Sequence, residues 1–466
     1  GNITVGKKIT AGGKIYPSVA LYAEKTNLET DSSIKVGEDG IAFYGKRAKI
    51  TAKGSVDFST KGVLAYLEDH SEFTSYLGDL SSTENTMIYL KDSKANLAGS
   101  GTNVNMTVAD GYTGAYIEGS SSLNGVKTIQ LGKNSNGLFL KNATFTSEVE
   151  EITSGKEGAK GILALDSDLT NKTKINLSGN NSIGVYSNAT ALKNFVNEGE
   201  LTLSGEKTLG IFLKGKQTFE NKANIYVKDS VDVTKPSIGI FTKEGKSLIS
   251  HSNGNIEVGS KSIGIYSLVG ADVAMNGGKL QVKDEGIGIY KQNGKVILKG
   301  EIEVGAHVSQ VENTEPVAVY GVNGTEIQEE ASKIEIGKKS YGFILSNTDD
   351  NKINTFINTN TGTVKMADES TYLYSSGKAK ITNNRNLSSN GANRLISFYI
   401  KEKGEFTNNG IIDFSNGKGN LGIYAPGGKA TNKGTILVGK TDDIDPITGK
   451  IYTDLNKIVY GIGMAA

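Results

Sequence analysis

Ser262-Ile-Gly-Ile-Tyr266 is preceded by Ser237-Ile-Gly-Ile-Phe241 and followed by Gly286-Ile-Gly-Ile-Tyr290, at intervals of 25 and 24 residues. Outward from these three copies the same short apolar box, closed by an aromatic ring, recurs along the chain. Ser18-Val-Ala-Leu-Tyr22, Gly40-Ile-Ala-Phe-Tyr44, Gly62-Val-Leu-Ala-Tyr66 and Ser182-Ile-Gly-Val-Tyr186 lie before them. Pro316-Val-Ala-Val-Tyr320 and Leu421-Gly-Ile-Tyr424 lie after. Tyr22, Tyr44, Tyr66 and Tyr89 are 22, 22 and 23 residues apart, and Tyr374, Tyr399 and Tyr424 are 25 and 25 apart. With the weaker copies ending at Tyr116, Phe139, Leu163, Phe212, Phe343 and Tyr460, the series amounts to about 18 units.

A second phrase, Asn-x-Gly-x-(Ile/Leu)-x-(Val/Leu), alternates with the boxes, as in Asn197-Glu-Gly-Glu-Leu-Thr-Leu203 and Asn432-Lys-Gly-Thr-Ile-Leu-Val438. Both patterns have period 2 over three to five residues and end in glycine or asparagine, which is the pattern of very short strands joined by turns. A unit this small cannot bury an apolar face alone; stacked copies can, each strand pairing with its equivalent above and below. Leucine-rich repeats, propeller blades and the calcium-binding nonapeptide roll need spacings or motifs that are missing here. The expectation is an all-β chain: a right-handed, three-sided parallel β-helix running as one segment from 1 to 466. At ~4.8 Å per turn it would make a rod of roughly 85 Å. Alternation within Ser262–Tyr266 assigns Ile263 and Ile265 to the interior, with Gly264 and Tyr266 on the other side or at a bend.

Composition narrows the function. Glycine is 59 of 466 residues but proline only 5, which excludes collagen. The 51 basic and 50 acidic side chains nearly cancel, and only Arg47, Arg385 and Arg394 are arginine. A chain with no net field and almost no bidentate phosphate reader is not expected to bind nucleic acid. No cysteine is present, which suits export through an oxidising compartment and removes cysteine catalysis. No apolar run approaches the ~18 residues of a transmembrane helix, and no signal peptide opens the segment.

Motifs that suggest chemistry have plainer readings. Gly434-Thr-Ile-Leu-Val-Gly439-Lys440-Thr441 satisfies the phosphate-loop expression. However, Thr435 to Val438 occupy the strand position of the repeat, so nucleotide binding is not expected. His70, His251 and His307 are far apart and are read as solvated or turn residues, not zinc ligands. Asp442, Asp443 and Asp445 lack the glycine and glutamate of a calcium loop and read as an exposed acidic loop. No cofactor or metal is expected. The recurring Tyr and Phe admit two roles, either stacked core or corner filler or an exposed ladder suited to sugar faces. Two function classes stay open: a binding or stalk protein, and a carbohydrate-active β-helical enzyme (a polysaccharide lyase or glycosidase). Acidic residues do recur in the strand phrases, at Glu257, Glu301, Glu303 and Glu335, but with lysines as neighbours.

Gly-Ile-Tyr boxes separated by Asn-x-Gly-x-Ile phrases, in a lysine-rich and cysteine-free background, resemble the passenger regions of large fusobacterial type V autotransporter adhesins. That family includes arginine-inhibitable and galactose-type sugar-binding members. The resemblance implies a non-enzymatic, monomeric passenger segment, or its stalk, at the extracellular face of the outer membrane. It would be anchored through a separate C-terminal β-barrel and attach to host-cell receptors or glycans, or to partner bacteria. The box spacing lengthens to 29 residues before Phe241, 30 before Tyr320 and 36 before Tyr460. The three insertions, near 229–236, 306–316 and 441–456, fall at one phase of the repeat and should project from one edge. Loops on a rigid scaffold commonly carry recognition. The candidate partner-binding residues are therefore Ser230, Asp232, Lys235, His307, Glu312, Asp442, Asp443 and Asp445.

Overall fold

The computed structural model describes the whole chain except residues 8, 12–13, 59–60, 83, 244–246, 269, 310, 446–447 and 466, with backbone alone at 11, 14–16 and 247. It is a right-handed parallel β-solenoid of about 17 turns, 59% strand and 1% helix. Backbone packing divides it into two units, Gly1–Ala223 and Asn224–Ala466. No helix among the described residues is long and apolar enough to cross a membrane.

Within each unit every turn has three faces. In the second unit the first face stacks the box strands Ile238–Thr242, Ile263–Ser267, Ile287–Leu298, Val317–Glu329 and Tyr341–Ser346, like upon like. The long strands Ile287–Leu298 and Val317–Glu329 continue round a corner into the second face. The third face stacks Asn255–Val258, Lys279–Val282, Glu301–Val304 and Lys333–Ile336. The first unit is built the same way, with box strands such as Ile41–Lys46, Val63–Glu68 and Ile183–Asn197. Because each residue lies over its equivalent, the interior is made of columns. One runs Ile240, Ile265, Ile289, Val319 and Phe343, all fully buried.

The box departs from simple alternation at its second position. A Cβ on Gly264 would meet the Gly288 carbonyl at 2.6 Å and Val258 Cγ2, an interior atom of the third face, at 2.8 Å. This position therefore points inward at a corner, as the fully buried Tyr372 does when it takes the same place in the register. Two consecutive inward residues turn Ile263 to the Tyr266 side of the strand, while Ile265 and Ser267 point inside. Ile263 is buried as expected, 8% exposed, but it does not share the Ile265 face: it lies against the groove side of the corner. Two aromatic assignments shift as well. Register pairs Tyr320 with Ile344, so Phe343 belongs to the interior column. Tyr424 pairs with Ala465, so Tyr460 lies between the last insertion and the strand Ile462–Ala465 and closes no box.

The asparagine of the second phrase is the inward residue that ends the second face. Asn171 Nδ2 donates to Asn197 Oδ1 at 2.8 Å, and Asn197 Nδ2 to Asn221 Oδ1 at 2.7 Å. In the second unit Asn358, Asn383, Asn408 and Asn432 repeat this at 2.7–2.8 Å. Most of these amides also donate to the carbonyl two residues on, as Asn197 does to Gly199 at 2.9 Å, while Asn358 donates to Tyr372 Oη instead. The side chain thus closes its own turn and ties it to the next, satisfying polar groups that water cannot reach.

One buried cation breaks the apolar pattern. Lys291, fully buried, donates from Nζ to the carbonyls of Leu268, Gln292 and Asn293. Burial pushes its ammonium down to about 8 from an ordinary 10.5. The folded state therefore carries the cost of a buried charge in full below pH 8. That cost fades as pH rises towards 10.5, where the unfolded chain loses the same proton. Lys291→Met should be more stable than the parent at pH 7, by up to about 3 kcal/mol. The difference should shrink above pH 8, and denaturant unfolding across pH 7–10.5 would check it. A constant difference across that range would contradict it.

Candidate binding groove

The outer surface of the first face carries two rows of side chains. In the second unit the row nearer the corner is Ile238, Ile263, Ile287, Val317 and Tyr341. The other is Phe241, Tyr266, Tyr290, Tyr320, Ile344 and Tyr374. The rings of the second row stack turn on turn, with centroids 5.5, 4.7 and 5.7 Å apart from Phe241 to Tyr320. Where Ile344 interrupts them, Tyr341 leans across from the first row and meets Tyr374 edge-on at 6.3 Å. The first unit has its own ladder, Tyr22, Tyr44, Tyr66, Tyr89, Tyr116 and Phe139, spaced 5.2–5.7 Å. The repeated aromatics are thus an outer, half-buried ladder and not core filler.

Two of the three insertions turn this surface into a groove. The segment 229–236 enters between Ile225–Val227 and Ile238–Thr242, and 306–316 enters between Glu301–Val304 and Val317–Glu329, at the same corner. Val233 and Pro236 of the first, with Asn313, Thr314 and Glu315 of the second, wall a groove of about 480 Å³. Its floor is Ile263, Ile287, Val317, Tyr320, Tyr341, Ile344 and Tyr374. The lining touches six successive turns, roughly 24 Å along the stack at ~4.8 Å per turn.

The polar rim is partly self-compensated. Glu285 is paired with Lys261 at 3.5 Å and accepts from Thr314 Oγ1 at 3.1 Å. Glu315 has no such partner among the described residues. Tyr341 has its phenol raised above the usual range, first by burial and then by the Glu315 charge. Among the described residues, the hydroxyls of Tyr320, Tyr341 and Tyr374 likewise have no acceptor. In the first unit, Tyr22, Tyr44 and Tyr116 are instead hydrogen-bonded to Glu24, Glu68 and Glu118.

Of the residues singled out from the sequence, several hold the insertions in place. Ser230 is buried, with its hydroxyl 2.9 Å from that of Ser262 and accepting from the Ser237 amide. Asp232 caps the Thr234 amide and hydroxyl at 2.8 Å and pairs with Lys235 at 3.4 Å. His307 is nearly buried, with Nδ1 2.9 Å from Asp284 Oδ1, and Asp284 also accepts from the amides of Val308 and Ser309. These bonds hold the Asp284 carboxyl below its usual range despite its partial burial. Glu312 is exposed on the same insertion. Asp442 accepts from Arg394 Nε at 2.7 Å, and Asp443 and Asp445 make backbone bonds within the third insertion, to Tyr452 and to Lys450 and Gly449. That insertion sits at the same corner, five turns beyond Val317–Glu329, and does not reach the groove.

The plainer motif readings correspond to definite places. Thr435–Lys440 is a third-face strand paired with Ile411–Lys418, so no loop cradles a phosphate there. His70 is exposed at a turn with φ +66°. His251, expected to be solvated, is instead fully buried in the column that elsewhere holds asparagine, with Nε2 near the Gly254 carbonyl; burial lowers its pKa. On the outward side of the third face Glu257 pairs with Lys283 at 3.0 Å, Glu335 with Lys333 at 3.1 Å, and Glu303 with Lys279. Among the described residues no three His, Asp or Glu side chains are grouped to hold a metal ion. The groove residues themselves went unselected in the sequence, although the recurring box tyrosine was the signal that could have found them. No protein-family model, curated protein or solved structure matches the chain.

Proposed function

We propose that this chain is a non-enzymatic attachment scaffold. In this reading it is part of the passenger of a surface-displayed autotransporter adhesin, held at the outer membrane by a separate barrel. Its partners would be receptors or glycans on host cells or other bacteria. One observation carries the reading: two insertions at one phase of the repeat wall an open groove, floored by outward-facing tyrosines, on an otherwise regular solenoid. Rigid scaffolds with variable loops at one edge suit recognition, and a concave, mainly apolar site with a few polar groups suits ligand binding. Binding of the purified chain to intact host and bacterial cells tests it, alongside a turnover screen on their glycans. Saturable attachment without turnover is the expected result. Reproducible cleavage, lost on replacing a single carboxylate, would overturn the reading in favour of an enzyme.

A further inference from the structure

We propose that the groove between 229–236 and 306–316 binds a non-acidic oligosaccharide lying along the stack; this rests on the attachment reading above. Three observations choose the ligand class. The floor sets tyrosine rings beside aliphatic side chains, an apolar surface for the C–H face of a pyranose ring, and it extends over several turns, as a short chain of rings would. Within it the hydroxyls of Tyr320, Tyr341 and Tyr374 have no partner among the described residues, whereas those of Tyr22, Tyr44 and Tyr116 are already bonded to carboxylates. Open phenols beside Asn313 and Thr314 match the hydroxyl-rich edge of a sugar, because each buried sugar hydroxyl must find a partner.

The groove suits an extended peptide poorly. Its backbone groups are already paired turn to turn, as in Val317 N–H to Gly286 O at 3.1 Å, Tyr341 N–H to Pro316 O at 3.0 Å and Thr371 N–H to Ser340 O at 2.9 Å. No strand edge is left there for β-augmentation. Charge sets the second restriction. Lys261 is already paired with Glu285, while Glu315 presents a carboxylate that no described residue pairs, so sialylated or sulfated chains would meet repulsion.

The test is binding of the full chain to short, unbranched, neutral oligomers of hexose and N-acetylhexosamine, with sialylated counterparts alongside. The Tyr320→Ala/Tyr374→Ala pair should weaken neutral-glycan binding roughly tenfold or more. Tyr341→Phe/Tyr374→Phe, which keeps the rings and the fold, should weaken it less but measurably. Tyr66→Ala, in the ladder of the first unit, should leave it unchanged. Equal binding by both pairs and the parent, or equal affinity for sialylated chains, would overturn the proposal. So would retention of no neutral glycan by a chain that still attaches to cells; attachment would then run through a protein receptor, and the broader reading would survive. Failure to attach to any cell would remove both.

Discussion

Arg385→Met should destabilise the turns around it by about 3–5 kcal/mol, because it strands a buried carboxylate. Arg385 and Glu329 are both fully buried, and the guanidinium grips the carboxylate twice, Nε to Oε2 at 2.9 Å and Nη2 to Oε1 at 2.7 Å. Tyr372 Oη and the Ala331 amide donate to the same carboxylate at 2.8 and 2.7 Å. Burial pushes the Glu329 carboxyl up, while Arg385 and these donors pull it back. Glu329 stands in the asparagine column, paired in register with Asn358. Arg385, two residues after Asn383, reaches back past the Asn358 turn to meet it. Removing both charges with Glu329→Leu/Arg385→Met should cost much less than the single change, since no lone charge remains buried. Native-state hydrogen exchange over residues 317–414 reads the local opening energy. A single variant no less stable than the double would contradict this account of the pair.

Ile265→Asp should cost several kcal/mol, since it puts an unpartnered carboxylate into the column between Ile240 and Ile289. Damage should be confined to neighbouring turns, because a solenoid is coupled mainly to its nearest neighbours. Limited proteolysis should therefore nick the variant near residues 240–290 and leave the rest resistant. Ile263→Asp, also at a buried position but on the row that lines the groove, should be milder, because its carboxylate can reach the groove opening. Equal nicking of the two variants, or parental resistance in Ile265→Asp, would contradict the inward corner drawn at Gly264 and Ile265.

Much of this architecture was legible in the repeat, and the reasons are physical. Strands stacked like upon like force like residues into columns, so a 22–25-residue recurrence of box and Asn-x-Gly phrase carries the fold class directly. The asparagine phrase carries its turn as well, because its amide bonds both its own loop and the next copy. Alternation misled where the chain bends. At Gly264 two successive residues face inward, which turns the buried Ile263 to the groove side of the strand, and the same register separates Phe343 from the ladder it was grouped with. Tyr460 looked like a box aromatic from spacing alone, but the strand begins two residues later, at Ile462. The Glu329–Arg385 pair joins residues 56 apart that differ from their column mates, a glutamate for asparagine and an arginine for the glycine of Asn-x-Gly. Such exceptions to a periodic column were the available signal. For the candidate site, the insertions and their shared phase were legible from spacing. The groove was not, because its floor comes from five turns that share a face only once the strands are stacked.

The central claim is that the corner bearing the insertions is the attachment surface. It is tested most directly by replacing 229–236, 306–316 and 441–456 with short Gly-Ser turns and measuring attachment to partner cells. The parallel strand pairing lies outside these segments, so far-ultraviolet circular dichroism should stay close to that of the parent. The account predicts that attachment is lost while the β-solenoid remains intact. Attachment equal to the parent in a chain with all three insertions shortened would contradict it and make the segment a stalk.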